Sequence, residues 1–362
     1  MKHAFLTLLT CMLAAPAAAQ TDLRCPDIKP RARTIKISRT APVRRGKAWL
    51  AGTPRTTLCY VCDLYGLKTE EAEYDGKTLS QRTALVYKDK DASAALCEEL
   101  KSEAKRTTTF SQEGKSSLDE FCRRNRKKDY RAVQVFDASP SQGRESERKP
   151  VRTIFRLLDS RGQAVEEHSF DPQLALETVT LRRFDKAGSP AEETVNDFDG
   201  RQLRRLTFAR DAATASATES YFGENNELRR KTVREYRDDG TLRREVITDY
   251  DSGEQPVTKT EIYSDVKGRR VNELVYDMDS SDPKYAYDYF YVYDKKGNWT
   301  EERKTRVTMF NGERLEDPKA APEITVRERS YYCAPPRKGA KKAGPDKGPA
   351  LFLIRGQPYL AA

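Results

Sequence analysis

Eight times along this chain a hydrophobic residue, aromatic in seven cases, is followed by an aspartate and then within a few positions by a glycine. The copies read YDGK at Tyr74, LLDSRG at Leu157, FDKAG at Phe184, FDG at Phe198, YRDDG at Tyr236, YDSG at Tyr250, YSDVKG at Tyr263 and YDKKG at Tyr293. An aspartate caps a tight turn with its carboxylate, and glycine supplies positive φ without a steric cost, so each copy reads as a hairpin turn. From Phe222 the aromatic positions fall at 222, 236, 250, 263 and 276, a period of 13 or 14 residues. A fixed period of this size constrains the fold more than any local propensity does.

Each interval leaves about ten residues between turns, enough for a strand of roughly 33 Å. Within ELRRKTVREY, Leu228, Arg230, Thr232, Arg234 and Tyr236 alternate with Arg229, Lys231, Val233 and Glu235. TLRREVITDY places Leu242, Val246 and Tyr250 on one face. Turn signals interrupt these runs too often for long helices. The pattern predicts a mainly β chain, an extended antiparallel β-meander of hairpin repeats with charges on both faces. Such a sheet depends on backbone ladders, aromatics near the turns and cross-strand Arg–Glu pairs, each pair worth about 0.2–1 kcal/mol.

Two segments break the pattern. DASAALCEELKSEAKR (91–106) and SSLDEFCRRNRKK (116–128) have helical composition, the second with Ser117 and Glu120 at capping-box spacing. They predict a two-helix insertion tied together by Cys97 and Cys122. APPRKGAKKAGPDKG (334–348) has the composition of a disordered linker, and ALFLIRGQPYLAA follows it as a short apolar end. The organisation predicted is a leader over 1–19, a basic segment with the first strands over 20–90, the helical insertion over 91–128, the repeat sheet over 129–333 and the tail over 334–362.

The tyrosine–aspartate turns, above all YVYDKKGNWTEERKTRV (291–307), resemble the YD repeats of the RHS-repeat family of exported bacterial proteins. The resemblance covers roughly 150–310, and 70–90 more faintly. It implies long β-hairpin sheets that form scaffolds or shells, and no particular activity.

MKHAFLTLLTCMLAAPAAAQ has the form of a secretory signal peptide ending at Ala19, too short to span a bilayer. It predicts a periplasmic or secreted protein with no transmembrane segment. Six cysteines then remain, Cys25, Cys59, Cys62, Cys97, Cys122 and Cys333, an even number that reads as up to three disulfides in an oxidising compartment. CYVC (59–62) sits among β-branched and aromatic neighbours, so its two cysteines face opposite sides of a strand and each seeks a different partner. The net charge of +10 is concentrated at the ends. Residues 20–70 hold 11 basic against 4 acidic residues, and residues 334–362 hold 6 against 1. Basic ends on a balanced body suit an anionic surface. The partners this predicts are envelope polysaccharide, an anionic lipid surface or another envelope protein, and not nucleic acid.

Catalytic chemistry has few candidates. Beyond His3 the one histidine is His168, in VEEHSFD, which reads as an exposed strand position, so no histidine pair can ligate a metal. Asp277, Asp279 and Asp282 in YDMDSSD faintly resemble an oxygen-rich calcium loop, without its glycine or distal glutamate. No cofactor is predicted. The candidate binding face is Tyr285, Tyr287, Tyr289, Tyr291 and Tyr293, five phenols two residues apart and hence on one side of a strand, together with Trp299. The sequence therefore predicts a non-enzymatic binding or scaffold protein of a bacterial envelope. An accessory or shell-like component of a toxin or secretion system is the second reading, and an envelope enzyme the third.

Overall fold

A computed structural model of the chain describes residues 32–46, 48–63, 67–75, 78–106, 112–138, 149–295, 297–310, 313–315 and 321–331. The signal segment, Cys25, Cys333 and the tail over 334–362 lie outside the described residues. The elements open with strands β1 (Ala32–Arg45), β2 (Ala48–Cys62), β3 (Lys68–Asp75) and β4 (Thr78–Lys88). Helices α1 (Lys90–Arg106) and α2 (Gln112–Asn125) follow. The next strands are β5 (Tyr130–Asp137), β6 (Arg152–Leu158), β7 (Ala164–Phe170), β8 (Leu176–Phe184), β9 (Pro190–Asp197) and β10 (Gln202–Asp211). They continue through β11 (Ser216–Phe222), β12 (Leu228–Tyr236), β13 (Leu242–Tyr250), β14 (Pro256–Ser264) and β15 (Arg270–Asp277). The last are β16 (Tyr285–Tyr293), β17 (Trp299–Phe310), β18 (Glu313–Leu315) and β19 (Glu323–Tyr331).

The chain is mainly β with two helices, and its strands pair in sequence order, as a meander requires. The sheet is nevertheless closed, which corrects the expectation of an extended one. β19 pairs antiparallel with β17 through Glu301↔Val326 and with β1 through Ile37↔Arg327, joining the end of the meander to its start. With β18 a short hairpin partner of β17, the ring contains 18 antiparallel strands. A circular barrel of that number, tilted about 40°, would measure roughly 35 Å across its backbone. Closure removes the two open edges that an extended sheet would expose.

The turns explain the sequence repeat. In the Asp159, Asp185, Asp197, Asp265 and Asp294 turns the Oδ1 atom accepts a hydrogen bond from the backbone N–H four residues on, at 2.8–3.0 Å. Three residues after each aspartate a glycine takes φ between 76° and 83°, or 73° at Gly268. Two turns keep the aspartate and replace the glycine. Leu174 (φ 62°) follows Asp171, and Glu254 (φ 57°) follows Asp251, with Gly253 one position early.

The largest apolar cluster lies under the helices, and two smaller ones, around Leu85, Val133 and Ile154 and around Ile35 and Cys62, lie on the opposite face of the sheet. Leu96, Leu100, Leu118 and Phe121 pack on Tyr130, Phe155, Leu157 and Phe170 of β5–β7. Asp89 caps α1 by accepting from the Ala92 N–H at 2.8 Å, and the predicted Cys97–Cys122 disulfide joins the two helices. Because α2 starts at Gln112, Ser117 lies within the helix rather than at its cap.

One face of the sheet carries Tyr287, Glu273, Ile262, Glu245 and Arg234, which stand opposite one another strand by strand. The registers step in one direction around the ring, and the strands of a barrel coil with a fixed hand, which makes this face the concave one. Exposure agrees, since side chains converge on a concave surface. Thr180 on this face is 7% exposed, whereas its neighbour Leu181, pointing the other way, is 43% exposed. The helices therefore pack against the outside.

Candidate functional site

Ionic pairs line the inner face. Across β6–β10 the chain Arg156–Glu167–Arg182–Glu193–Arg204 alternates in sign, with N···O distances of 2.8, 3.5, 2.9 and 3.3 Å. Across β11–β13, Arg234 bridges Glu219 at 3.0 Å and Glu245 at 2.7 Å. In a half-buried wall each charge keeps an opposite neighbour, which offsets the cost of its desolvation.

The predicted tyrosine row continues this wall on β16. All five phenols are partly buried, whereas Phe290 on the opposite face of the same strand is 61% exposed. Cations stand over the rings. Arg306 lies 4.6 Å from the Tyr285 centroid, Lys304 4.0 Å from Tyr287, Arg270 5.3 Å from Tyr289 and Arg269 5.0 Å from Tyr293. Trp299, the first residue of β17, approaches Tyr291 at 6.3 Å and has Arg327 of β19 at 3.7 Å from its ring centre. The Tyr289 hydroxyl donates to Glu273 at 2.5 Å, and Lys304 donates to the other Glu273 oxygen at 3.1 Å. Burial, with Glu273 beside it, pushes the Tyr289 phenol up, and burial with Glu302 pushes Tyr291 up further. Both therefore stay neutral hydrogen-bonding groups at any physiological pH. Burial, and next the charge of Arg329, brings Arg327 down to about 10.

The structure thus brings the six aromatic candidates together, and it adds cations that the sequence reading did not single out. Lys304 and Arg306 alternate with Glu302 in EERKTRV, and Arg327 and Arg329 alternate in VRER, so their facing was readable. Their convergence on Trp299 depends on the closure of β19 onto β17 and β1, which no local pattern announces.

Other candidates resolve differently. Cys62 is disulfide-bonded while Cys59 is a free thiol, so only one of the CYVC pair is bridged. Burial pushes the Cys59 thiol up, away from the thiolate character that redox chemistry needs. Among the described residues no three metal-ligating side chains cluster, and Asp277 is held by Lys284 at 2.8 Å. His168 is not exposed. It is 8% accessible, packed on Phe121 of α2 with ring centroids 4.7 Å apart, because the helices cover this part of β7.

No described helix is long and apolar enough to cross a membrane. A strand-built membrane protein instead needs an outward apolar band about 25 Å tall. Here the outward, mid-strand positions include Arg82, Arg183, Lys231, Arg244, Lys259, Asp288 and Arg303. That surface suits water and not lipid.

No family model matches the chain, and no curated protein matches it in sequence. Among solved structures it is similar to a porin-like protein from Bacteroides uniformis, at 10% identity over 83% of this chain and 96% of that one, with a TM-score of 0.39. Parts of a TcdB2–TccC3 structure match 82% of the chain at 12% identity, covering 16% of that chain with a TM-score of 0.21. The Tc holotoxin pore of Photorhabdus luminescens matches 80% of the chain at 11% identity, covering 15% of that chain with a TM-score of 0.19. At these scores none of the likenesses bears on function, and the resemblance to YD repeats rests on the turns alone.

Proposed function

We propose that this chain is a non-enzymatic, exported binding protein of a bacterial envelope, a water-soluble barrel that holds an acidic saccharide chain against its inner tyrosine–cation wall. The observation that carries the reading is the pairing of aromatic faces with cations along β16, β17 and β19. Five of the six rings have a guanidinium or ammonium group over them. Aromatic faces stack on sugar rings, and guanidinium groups pair with carboxylates. Polar outward positions support a barrel that is wet on both sides. The Cys97–Cys122 bridge and the bonded state of Cys62 support an oxidising compartment. A non-enzymatic role accords with the engagement of the inner carboxylates, Glu167, Glu193 and Glu273, by cations.

Calorimetric titration with polygalacturonate and with neutral dextran of matched length tests the reading. The acidic polymer should bind and the neutral one should not, and Tyr287→Ala with Tyr289→Ala should weaken binding while the far-ultraviolet spectrum is kept. Equal binding of both polymers, or of neither, would overturn it.

A further inference from the structure

Several guanidinium groups of the inner wall are answered by carboxylates. Arg156, Arg182, Arg204 and Arg234 each lie within ion-pair distance of a glutamate. Arg327 is different. It stands opposite Ile37 of β1, lies 3.7 Å from the centre of the Trp299 ring, and its Nε is buried without an acceptor. No described carboxylate oxygen is within ion-pair distance of it. The acid that acts on it, Glu302, hydrogen-bonds the phenol of Tyr291 instead. Arg329, two positions along the same strand, also stands over Trp299, at 5.9 Å. Two like charges therefore share one indole, and a buried N–H of the nearer one is unused. A guanidinium held over an aromatic face still has N–H donors directed away from the ring, and its planar fork can give two parallel hydrogen bonds, the geometry that carboxylate and phosphate oxygens match. Trp299 follows the Asp294–Asn298 turn, so this position is at one mouth of the barrel.

We infer that Arg327, stacked on Trp299, anchors one oxyanion group, a carboxylate or a phosphate, at the mouth of the barrel. An anion there would supply the missing acceptor and separate the charges of Arg327 and Arg329. That it is a carboxylate of a bound saccharide chain rests on the function proposed above; that it is an oxyanion does not.

The test uses the full chain carrying Trp49→Phe, which leaves Trp299 as the single tryptophan of the two in the sequence. Its fluorescence is titrated with inorganic phosphate, with galacturonate and with trigalacturonate. A saturable change is expected, with Arg327→Gln weakening the tightest of the three by roughly tenfold or more. Arg327→Lys, which keeps the charge and loses the two-pronged donor, should fall between. The urea midpoint of Arg327→Gln should match or exceed the parent's, because an unpaired half-buried cation has been removed, and this separates lost binding from lost fold. Unchanged affinity in Arg327→Gln, or no saturable response to any of the three anions, overturns the inference. Polygalacturonate binding that survives Arg327→Gln sinks this position and leaves the proposed function standing. A phosphate response that requires Arg327, in a protein that ignores polygalacturonate, does the reverse. The tighter of phosphate and galacturonate identifies the group.

Discussion

Arg182 donates its Nε hydrogen to Glu193 at 2.9 Å across the β8–β9 pair, with the two side chains only 14% and 6% exposed. Glu193 also receives Arg204 at 3.3 Å. Removing the glutamate charge would leave two cations facing each other in a half-buried wall. Glu193→Gln is therefore expected to cost about 2–3 kcal/mol in urea unfolding, near the lower end for breaking a buried pair. Replacing Arg182 and Glu193 together by Met and Leu should restore part of that loss, because Arg182 no longer faces Arg204 across the pair, while Arg204 still lacks its carboxylate. If the double variant is as unstable as the two single losses added, the pair is not a coupled unit.

The turns offer a second check. Gly240 has φ 80° with open space around the site of a Cβ, so Gly240→Ala tests backbone strain without a clash. A loss of about 1–2 kcal/mol is expected for a non-glycine residue in the left-handed region. Ala215 is already there, at φ 47°, and Ala215→Gly should stabilise the protein by a few tenths to about 1 kcal/mol. Thermal unfolding measures both, and two shifts of the same sign would refute the assignment.

Much of this fold was legible because its unit is local. Asp159 to Gly162 and Asp294 to Gly297 announce hairpins through side chains that satisfy their own turn, so the meander and its strand lengths follow from sequence. Leu174 hides a further turn because it replaces the glycine, whereas the Asp251 turn stayed readable through Gly253, one position before Glu254. Closure was not legible. It rests on β19 meeting β1 and β17 through residues such as Thr325 and Arg327, separated from Arg39 and Ile37 by nearly the whole chain. The candidate site divides in the same way. The tyrosine row of β16 was visible as alternation, while the convergence of Arg327 and Trp299 follows only from the closed ring. His168 was misread because its environment is made by α2, which is remote in sequence from β7.

The Cys97–Cys122 bridge spans 25 residues and ties α1 to α2 over the outer wall. Cys97→Ser with Cys122→Ser should lower stability by about 3 kcal/mol, the amount expected from the unfolded-chain entropy of a loop of this size. The barrel should keep its β-sheet circular dichroism while the helical signal melts earlier. Reductant should reproduce the effect in the parent and have none in the variant at this site. Coincident loss of both signals would mean that the helix pair and the ring unfold as one unit.

His168 makes the same interface sensitive to acid. Its Nε2 lies 2.5 Å from Glu166 and 3.4 Å from Arg124, whose guanidinium also pairs with Glu166, and its ring rests on Phe121. Burial lowers its pKa below the ordinary 6.5 and outweighs Glu166, which pulls the other way, while Arg124 adds to the lowering and Glu120 opposes it. The folded protein thus keeps the imidazole neutral at pH values where the unfolded chain has begun to take up a proton. Because the unfolded state binds more protons in that window, stability falls as pH drops through the ordinary histidine range, and the contribution is complete above it. The urea midpoint of the parent should therefore decline between about pH 7.5 and 5 more steeply than that of His168→Gln, which cannot titrate. The two curves should converge toward the acid end as the parent loses its contribution. Parallel curves across the range would show that His168 does not hold the interface neutral, and a parent that gains stability on acidification would reverse the sign of the assignment.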